Sequence, residues 1–168
     1  MHIPLIQVFK RKAPEGLRKE LARHDQDRWL AAQEEPPLGA HLITPRFAYQ
    51  HHGIYVGGGL VVHYSAFAKH WRCGPVEEIP LARFAGGHPL WIRPARAGAF
   101  EGVDVVRRAR SRLGENRYAF WSNNCEHLSE WCVNGEHRSL QVEHFLAPLR
   151  RLSGAVTDLL RSLEPLWT

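Results

Sequence analysis

The residues of this chain best suited to covalent chemistry are one cysteine and two histidines that precede it. Cys125 lies in the segment Ser-Asn-Asn-Cys-Glu-His, where a short amphipathic helix is predicted to begin. His51 and His63 lie on the two arms of a predicted β-hairpin. A thiol nucleophile, an imidazole base and a third polar group that orients the base are the requirements of thiol-dependent acyl transfer.

The predicted start of the cysteine helix favours a reactive thiol. Asn123 is expected to be the N-cap and Glu126 its capping-box partner, which places Cys125 at the second helical position. The free N–H groups and the dipole of a helix start stabilise both a thiolate and an oxyanion. The side chain of Asn124 is a further candidate for the oxyanion contact. An unreactive, buried thiol is the alternative for any single cysteine, and Cys132, two turns further along the same face, is predicted to be core.

The histidine segment carries a strong hairpin signal. Ile, Tyr and Val residues flank Gly57-Gly58-Gly59, and folding about these glycines brings His63 opposite residues 51–53. Because side chains alternate along a strand, His51 and Tyr55 share one face and His52 points to the other. His51 is therefore the candidate base, His63 its orienting group and Tyr55 a candidate substrate contact. An ordinary, partly buried strand histidine is the alternative for either one.

These segments resemble the lecithin–retinol acyltransferase-like family, which includes the H-Ras-like suppressor phospholipases and acyltransferases. The resemblance rests on His-x-Gly-Ile-Tyr-x-Gly, on the second histidine and on Asn-Cys-Glu-His, and it spans roughly residues 38–138. It implies an α+β, circularly permuted papain-like (NlpC-like) fold, in which a small antiparallel sheet packs against helices and the nucleophile lies at a helix N-terminus. It also implies Cys125 as nucleophile, His51 as base and His63 as the third polar residue, with no cofactor.

The reaction that the resemblance implies is phospholipase A1/A2 or phospholipid acyltransferase activity through an acyl-cysteine intermediate. The expected partner is a phospholipid or another acyl ester. Two positions depart from the family pattern: Leu128 replaces the usual Phe, and Ala40-His41 stands where an acidic residue is common. His52 takes a place that is usually aromatic.

Three other function classes remain open from the sequence. A thiol amidase or peptidase that acts on peptide or cell-wall substrates would use the same nucleophile and base. A metal site built from His51, His63, Cys125 and His127 is disfavoured, because Cys-x-His within one helical turn does not place both ligands on one face. No metal is therefore expected. A binding module with an idle Cys125 is the third class.

Composition bounds the remaining expectations. The 168 residues include three cysteines without paired spacing, which favours a reducing compartment. The net charge of +5 is modest, so no nucleic-acid partner is expected. Without a signal peptide or an apolar run of membrane-spanning length, the sequence predicts a cytoplasmic protein, with peripheral membrane contact as a further hypothesis. Eighteen arginines among 22 basic residues suggest a bacterial, GC-rich source. The run of arginines within residues 107–112 is interpreted as a solvated helix face.

We divide the chain into an N-terminal strand and helix extension (1–37), an acyltransferase-like catalytic domain (38–138) and a C-terminal amphipathic helical tail (139–168). The extension is predicted to contain a strand at Ile3–Phe9 and a helix from Pro14 to Glu35. Within the catalytic domain, further strands at 76–79 and 89–92 and a helix over 101–114 are expected. The leucine spacing of the tail predicts a helix that packs on the domain or lies on a membrane.

Overall fold

The structure is a computed structural model of the chain, and it describes residues 26–31, 33–46, 49–65, 74–143 and 145–146. The predictions for Ile3–Phe9 and for most of the C-terminal tail lie outside the described residues.

The described residues form an antiparallel sheet with helices packed against it, which confirms the predicted α+β class. The sheet has six strands in the order β1-β6-β2-β3-β4-β5. Their bounds are β1 Arg28–Trp29, β2 His41–Pro45, β3 Gln50–Gly57, β4 Leu60–Tyr64, β5 Val76–Pro80 and β6 Trp91–Arg93. Three helices lie wholly within the described residues: α1 Leu81–Ala85, α2 Gly102–Arg110 and α3 Cys125–Asn134. Residues 140–143 and 145–146, at the start of the predicted helical tail, are helical as well.

The predicted hairpin is the centre of this sheet. β3 and β4 pair antiparallel, with Ile54 opposite Val62, and they are joined at Gly58 and Gly59. These two glycines have φ angles of 60° and 72°, a left-handed conformation that most residues avoid. The glycine run therefore makes the tight turn that joins the two histidine-bearing strands.

Side-chain alternation along the hairpin separates two hydrophobic clusters. On one face the sheet packs against α2 and α3, and on the other it packs against Phe84 of α1. The hairpin residues of the first cluster are Ile54, Val56, Val62 and Tyr64. Those of the second are Tyr55 and Val61. The predicted separation of odd from even positions in β3 is confirmed.

The helix predicted from Pro14 to Glu35 is wrong at its described end. Arg28 and Trp29 instead form the edge strand β1 and pair with Ile92 and Trp91 of β6. The rings of Trp29 and Trp91 meet edge to face, with centroids 5.3 Å apart. Cross-strand aromatic contact thus outweighs the helical propensity of a polar segment.

The arginine run of α2 is only partly a solvated face. Arg108 lies over the ring of Trp131, 3.9 Å from its centroid, and donates to the Trp131 carbonyl oxygen at 2.6 Å. Arg110 pairs with Glu78 at 2.9 Å. The run therefore attaches α2 to α3 and to β5, and α2 ends at Arg110, before the predicted end of the helix at residue 114.

Candidate active site

The helix that carries the thiol begins one residue later than predicted, because Asn124 is its N-cap rather than Asn123. The Asn124 side-chain oxygen accepts from the main-chain N–H groups of Glu126 (2.9 Å) and His127 (3.1 Å). The Asn124 N–H donates in return to His127 Nδ1 at 3.3 Å, so His127 and not Glu126 completes the capping box. Cys125 is consequently the first residue of α3 and not the second.

Asn123 is held elsewhere by tertiary hydrogen bonds. Its side-chain nitrogen donates to the Tyr64 hydroxyl (2.8 Å), to Glu115 Oε1 (3.0 Å) and to the Arg117 carbonyl oxygen (2.9 Å). Either asparagine has the side chain that an N-cap needs. The attachment of Asn123 to the end of β4 decides which of the two caps the helix.

The Asn124 side chain is engaged at both ends, since its nitrogen donates to the Phe120 carbonyl oxygen at 2.9 Å and to Ser139 Oγ at 3.3 Å. Its contacts are those of a cap and not those of a group turned toward a substrate. The cap satisfies the second and third N–H groups of α3, whereas the N–H of Cys125 is directed at its own thiol and is given no other partner among the described residues. That first N–H is therefore the donor that an oxyanion could use.

The two histidines lie side by side, as the hairpin predicted. His51 Nε2 and His63 Nδ1 are 2.8 Å apart, and the two residues are only 3% and 5% exposed. The Phe84 ring covers the pair, with centroids 5.1 Å from His51 and 5.6 Å from His63. Gly53 makes room for that ring, because a Cβ there would lie 2.8 Å from Phe84 Cε2.

Glu77 extends the histidine pair into a chain of three groups. It lies opposite His63 in the β4–β5 pairing, and its Oε1 is 3.5 Å from His63 Nε2. The Glu77 contact is an ion-pair distance and not a hydrogen bond, so both His63 Nε2 and, at the other end, His51 Nδ1 are buried without a hydrogen-bond partner among the described residues. If His51 Nε2–H donates to His63 and His63 Nε2–H points to Glu77, the lone pair of His51 Nδ1 is left to accept a proton.

The Cys125 thiol meets β3 at the main chain that carries His51. Its Sγ lies 3.9 Å from the carbonyl oxygen of Gln50, and the residue is 4% exposed. Burial raises the pKa of the thiol to about 12, against the opposing effect of the main-chain N–H groups of His52 and Glu126. Cys125 packs in the cluster on the helix-facing side of the sheet, whereas the His51 ring packs against Phe84 on the other side, and no hydrogen bond joins Sγ to that ring among the described residues. At a pKa of about 12 the thiol is neutral at pH 7.

The imidazoles are neutral as well. Burial, reinforced by the neighbouring His63 and Arg46, lowers the pKa of His51 to about 3. Burial also lowers the pKa of His63 to about 4, although the Glu77 carboxylate opposes the shift. A neutral His51 is the protonation state that a general base requires.

Tyr55 shares the His51 face, as predicted, but serves the hairpin turn. Its hydroxyl donates to Glu35 Oε1 at 2.5 Å and accepts from the Gly59 N–H at 3.0 Å. Tyr55 lies four positions after His51 along the strand, a distance of roughly 13 Å. The structure therefore does not bring Tyr55 to the thiol.

Comparison with known proteins identifies the family of this chain. The family described as lecithin retinol acyltransferase matches residues 34–138, which is more than half of the chain. The chain belongs to this family. It is also 29% identical over 127 residues to the human protein phospholipase A and acyltransferase 2, an alignment that covers 66% of this chain and 78% of the relative. The family match includes Cys125, His51 and His63.

A second series of linked polar side chains, which the sequence did not predict, lies on the helix-facing side of the sheet. His52 Nδ1 lies 2.9 Å from His41 Nε2, and His41 Nδ1 lies 3.6 Å from Glu130 Oε1. At the other end, His52 Nε2 is 3.0 Å from the side-chain nitrogen of Gln141. His41 and His52 were the available sequence signal, because both occupy positions where the family pattern has other residue types.

The prediction that Glu126 completes the capping box is also wrong. Its buried carboxylate accepts from Arg93 Nη1 (2.9 Å), from Ser139 Oγ (2.7 Å) and from the Gln141 N–H (3.0 Å). Burial alone would raise the pKa of this carboxyl, but Arg93 and these hydrogen bonds hold it below its ordinary value. Glu126 thus ties β6 and residues 139–141 to the first turn of α3.

His127, one of the four residues of the metal alternative, is engaged elsewhere. His127 belongs to the capping box, and its ring stacks near His137 at a centroid distance of 4.9 Å. Within the described ranges, no group of three or more His, Cys, Asp and Glu side chains is arranged to hold a metal ion.

Proposed function

We propose that this protein is a cysteine-dependent enzyme that transfers acyl groups from lipid esters through an acyl-cysteine intermediate. The observation that carries the proposal is the buried Nδ1 of His51, which has no partner among the described residues while Nε2 is held by His63. This atom belongs to the strand whose main chain lies against the Cys125 thiol. The name of the human relative, which joins phospholipase A and acyltransferase, supports the lipid-ester substrate.

The first half of the reaction forms the thioester. His51 Nδ1 accepts the thiol proton, and the sulfur attacks the carbonyl carbon of the lipid ester. The Cys125 N–H stabilises the oxyanion, while His63 and Glu77 stabilise the imidazolium. Collapse of the tetrahedral intermediate breaks the C–O bond. His51 returns the proton to the departing alcohol oxygen, which leaves as a lysolipid.

The second half resolves the thioester with the same groups. His51 accepts a proton from water, an amine or an alcohol, whose oxygen or nitrogen attacks the thioester carbonyl. The C–S bond then breaks, and the thiolate sulfur recovers its proton from His51. Water gives a fatty acid, and an amine or alcohol gives an acylated acceptor, so one site supports both phospholipase and acyltransferase outcomes.

We also infer the circularly permuted papain-like arrangement for this enzyme. Its support is chain order, since the histidine strands β3 and β4 precede the nucleophile helix α3. The helix packs across β3 and places its first residue at the strand main chain.

A group of exposed aromatic side chains supports contact with a phospholipid surface. Phe120 and Trp121 are 44% and 51% exposed on the turn that leads into Asn124, and Phe145 is 63% exposed beside them. Aromatic side chains favour the membrane–water interface. We propose that this aromatic turn meets the lipid surface next to the nucleophile. No helix of the described residues has the length and apolarity to cross a membrane.

Intact mass spectrometry after incubation with phosphatidylcholine vesicles tests the proposal. The wild type should gain one fatty-acyl mass, and Cys125→Ser should gain none. Cys132→Ala is the matched control, because Cys132 lies on the same helix, is fully buried and has its thiol pKa raised to about 12 by burial. It should be acylated like the wild type. A wild type that gains no acyl mass and releases no lysolipid contradicts the lipid reaction and favours the thiol amidase or peptidase.

A further inference from the structure

We infer that Gln141 is a positioning residue of the active site, although it lies beyond the residues that match the family. The Gln50 N–H donates to its Oε1 at 3.1 Å, and its Nε2 donates to the Gln50 carbonyl oxygen at 3.3 Å. These two hydrogen bonds are the Gln141 bridge. The inference rests on the proposed function, because it assigns Gln141 a task in the same thiol chemistry.

The Gln141 bridge holds the part of β3 that touches the thiol. The paired residues of β3 and β4 run from Ile54 to Gly57, so the start of β3 lies beyond this pairing. There the Gln141 amide bonds to both main-chain groups of Gln50, as a neighbouring strand would. The Gln50 carbonyl oxygen is the atom that lies 3.9 Å from Cys125 Sγ, and the next residue is His51.

The second contact of Gln141 fixes the residue on the other side of His51. Because Oε1 accepts from Gln50, Nε2 must be the amide nitrogen, and it donates to His52 Nε2 at 3.0 Å. His52 Nδ1–H then donates to His41 Nε2 (2.9 Å), and His41 Nδ1–H points to Glu130 Oε1 (3.6 Å). Every donor in this chain points toward the Glu130 carboxylate, which leaves one tautomer for each histidine.

Burial makes this arrangement costly to disturb. His41, His52 and Glu130 are each 2% exposed or less, so a broken hydrogen bond would leave a buried polar atom unpaired. Gln141 itself is tied to α3, since its N–H donates to the carboxylate of Glu126 at 3.0 Å. The nucleophile helix and the base-bearing strand are therefore held to one another through Gln141.

His51 lies between Gln50 and His52, the two residues that Gln141 holds. The position of its ring relative to Sγ is consequently set by Gln141, which touches neither reacting group. A displacement of about 1 Å between reacting groups lowers a rate by about a hundredfold. Loss of the Gln141 bridge should therefore slow reactions of the thiol more than it weakens substrate binding.

The test compares Gln141→Met, which keeps the side-chain length without the amide, with His52→Phe and with Glu143→Gln. Glu143 lies on the same segment and pairs with Arg138, outside the Gln141 bridge. For each variant, the alkylation rate of Cys125 by iodoacetamide is measured by peptide mass spectrometry between pH 6 and 10, with acylation by phosphatidylcholine vesicles and a thermal melt. Alkylation requires no lipid substrate, so a wild type that is alkylated but never acylated contradicts the proposed function alone.

We expect Gln141→Met to slow alkylation and acylation roughly ten- to a hundredfold with little change in KM. The slower alkylation should hold across the whole pH range, because all of it lies below the thiol pKa of about 12. His52→Phe should be slowed less, since the Gln141 bridge survives, and Glu143→Gln should match the wild type. Wild-type alkylation and acylation rates in Gln141→Met overturn the inference. It is also overturned if the rates of the variants fall in step with their melting temperatures, with the fully buried His52→Phe the slowest.

Discussion

Replacing Glu77 by glutamine removes the carboxylate at the end of the His51–His63 chain and changes little else in shape. Glu77 Oε1 lies 3.5 Å from His63 Nε2, and the glutamate faces His63 across the β4–β5 pairing. While both imidazoles are neutral, this carboxylate has little to attract. Once His51 has taken the thiol proton, the positive charge on the pair is stabilised by Glu77.

The strength of this stabilisation follows from the distances between His51, His63 and Glu77. The His51 and His63 ring centroids are 4.9 Å apart, which places the charge on His51 beyond the 3.5 Å contact between His63 and Glu77. For a separation of roughly 8 Å and an effective dielectric constant of about 20 to 80, the attraction is about 0.5 to 2 kcal/mol. The Glu77 side chain is 35% exposed, and solvent screening favours the lower half of that range, about 0.5 to 1 kcal/mol. The acylation rate should fall roughly two- to fivefold.

The assay is the rate of thioester formation at saturating phosphatidylcholine, followed by intact mass spectrometry after rapid quenching. Glu78→Gln is the matched control, because Glu78 is the next residue of the same strand, lies opposite Val62 and pairs with Arg110. It should acylate at the wild-type rate. An equal loss in both variants, or no loss in Glu77→Gln, would refute the assignment of Glu77 to the imidazole chain.

Three further predictions concern the same region. His51→Ala should reduce acylation far more than His63→Ala, because only His51 accepts the thiol proton; near-wild-type turnover in His51→Ala, measured by lysolipid release, would show the base assignment to be wrong. Since burial lowers the pKa of His51 to about 3 and of His63 to about 4, the unfolded chain binds more protons below pH 6.5. The stability contribution is thus complete above pH 6.5 and is lost as pH falls toward 4. Urea titrations should show that the loss of unfolding free energy between pH 6.5 and 4 is smaller by up to about 3 kcal/mol in His63→Gln but unchanged in exposed His88→Gln. Gly53→Ala would place a Cβ 2.7 Å from Val61 Cγ1 and 2.8 Å from Phe84 Cε2, and it should destabilise the fold by about 1 to 3 kcal/mol in the same titration. Adding Phe84→Leu should restore part of that loss, and a double variant no more stable than Gly53→Ala would contradict the steric explanation.

The features that the sequence predicted well are local in origin. The turn at Gly58 and Gly59 and the facing of His51 and His63 both follow from backbone preference and strand alternation within a few residues. The N-cap was misplaced by one residue because two adjacent asparagines have equal capping ability. Only a distant contact, the bonding of Asn123 to Tyr64, distinguishes them.

The groups that the sequence did not reveal are placed by distant pairing. Glu77 reaches His63 only through the register of β4 and β5, which no local pattern determines. Gln141 reaches Gln50 because residues 139–141 are drawn to the buried carboxylate of Glu126. A buried ion pair such as Glu126–Arg93 is equally invisible, since a charged residue in a sequence is ordinarily expected at the surface.

The two adjacent histidines of β3 also affect how the sheet finds its alignment. A slip of one residue exchanges the faces of every side chain in a strand, and His51-His52 would still present one imidazole to each face. Gly53 distinguishes the correct alignment from the slipped ones. A slip in one direction would put Ile54 in the place of Gly53, against Phe84, and a slip in the other direction would put His52 there. A Cβ alone at that position already meets Phe84 Cε2 at 2.8 Å. The glycine of the His-His-Gly-Ile segment therefore determines which of the two adjacent histidines faces His63, the place of the proposed base.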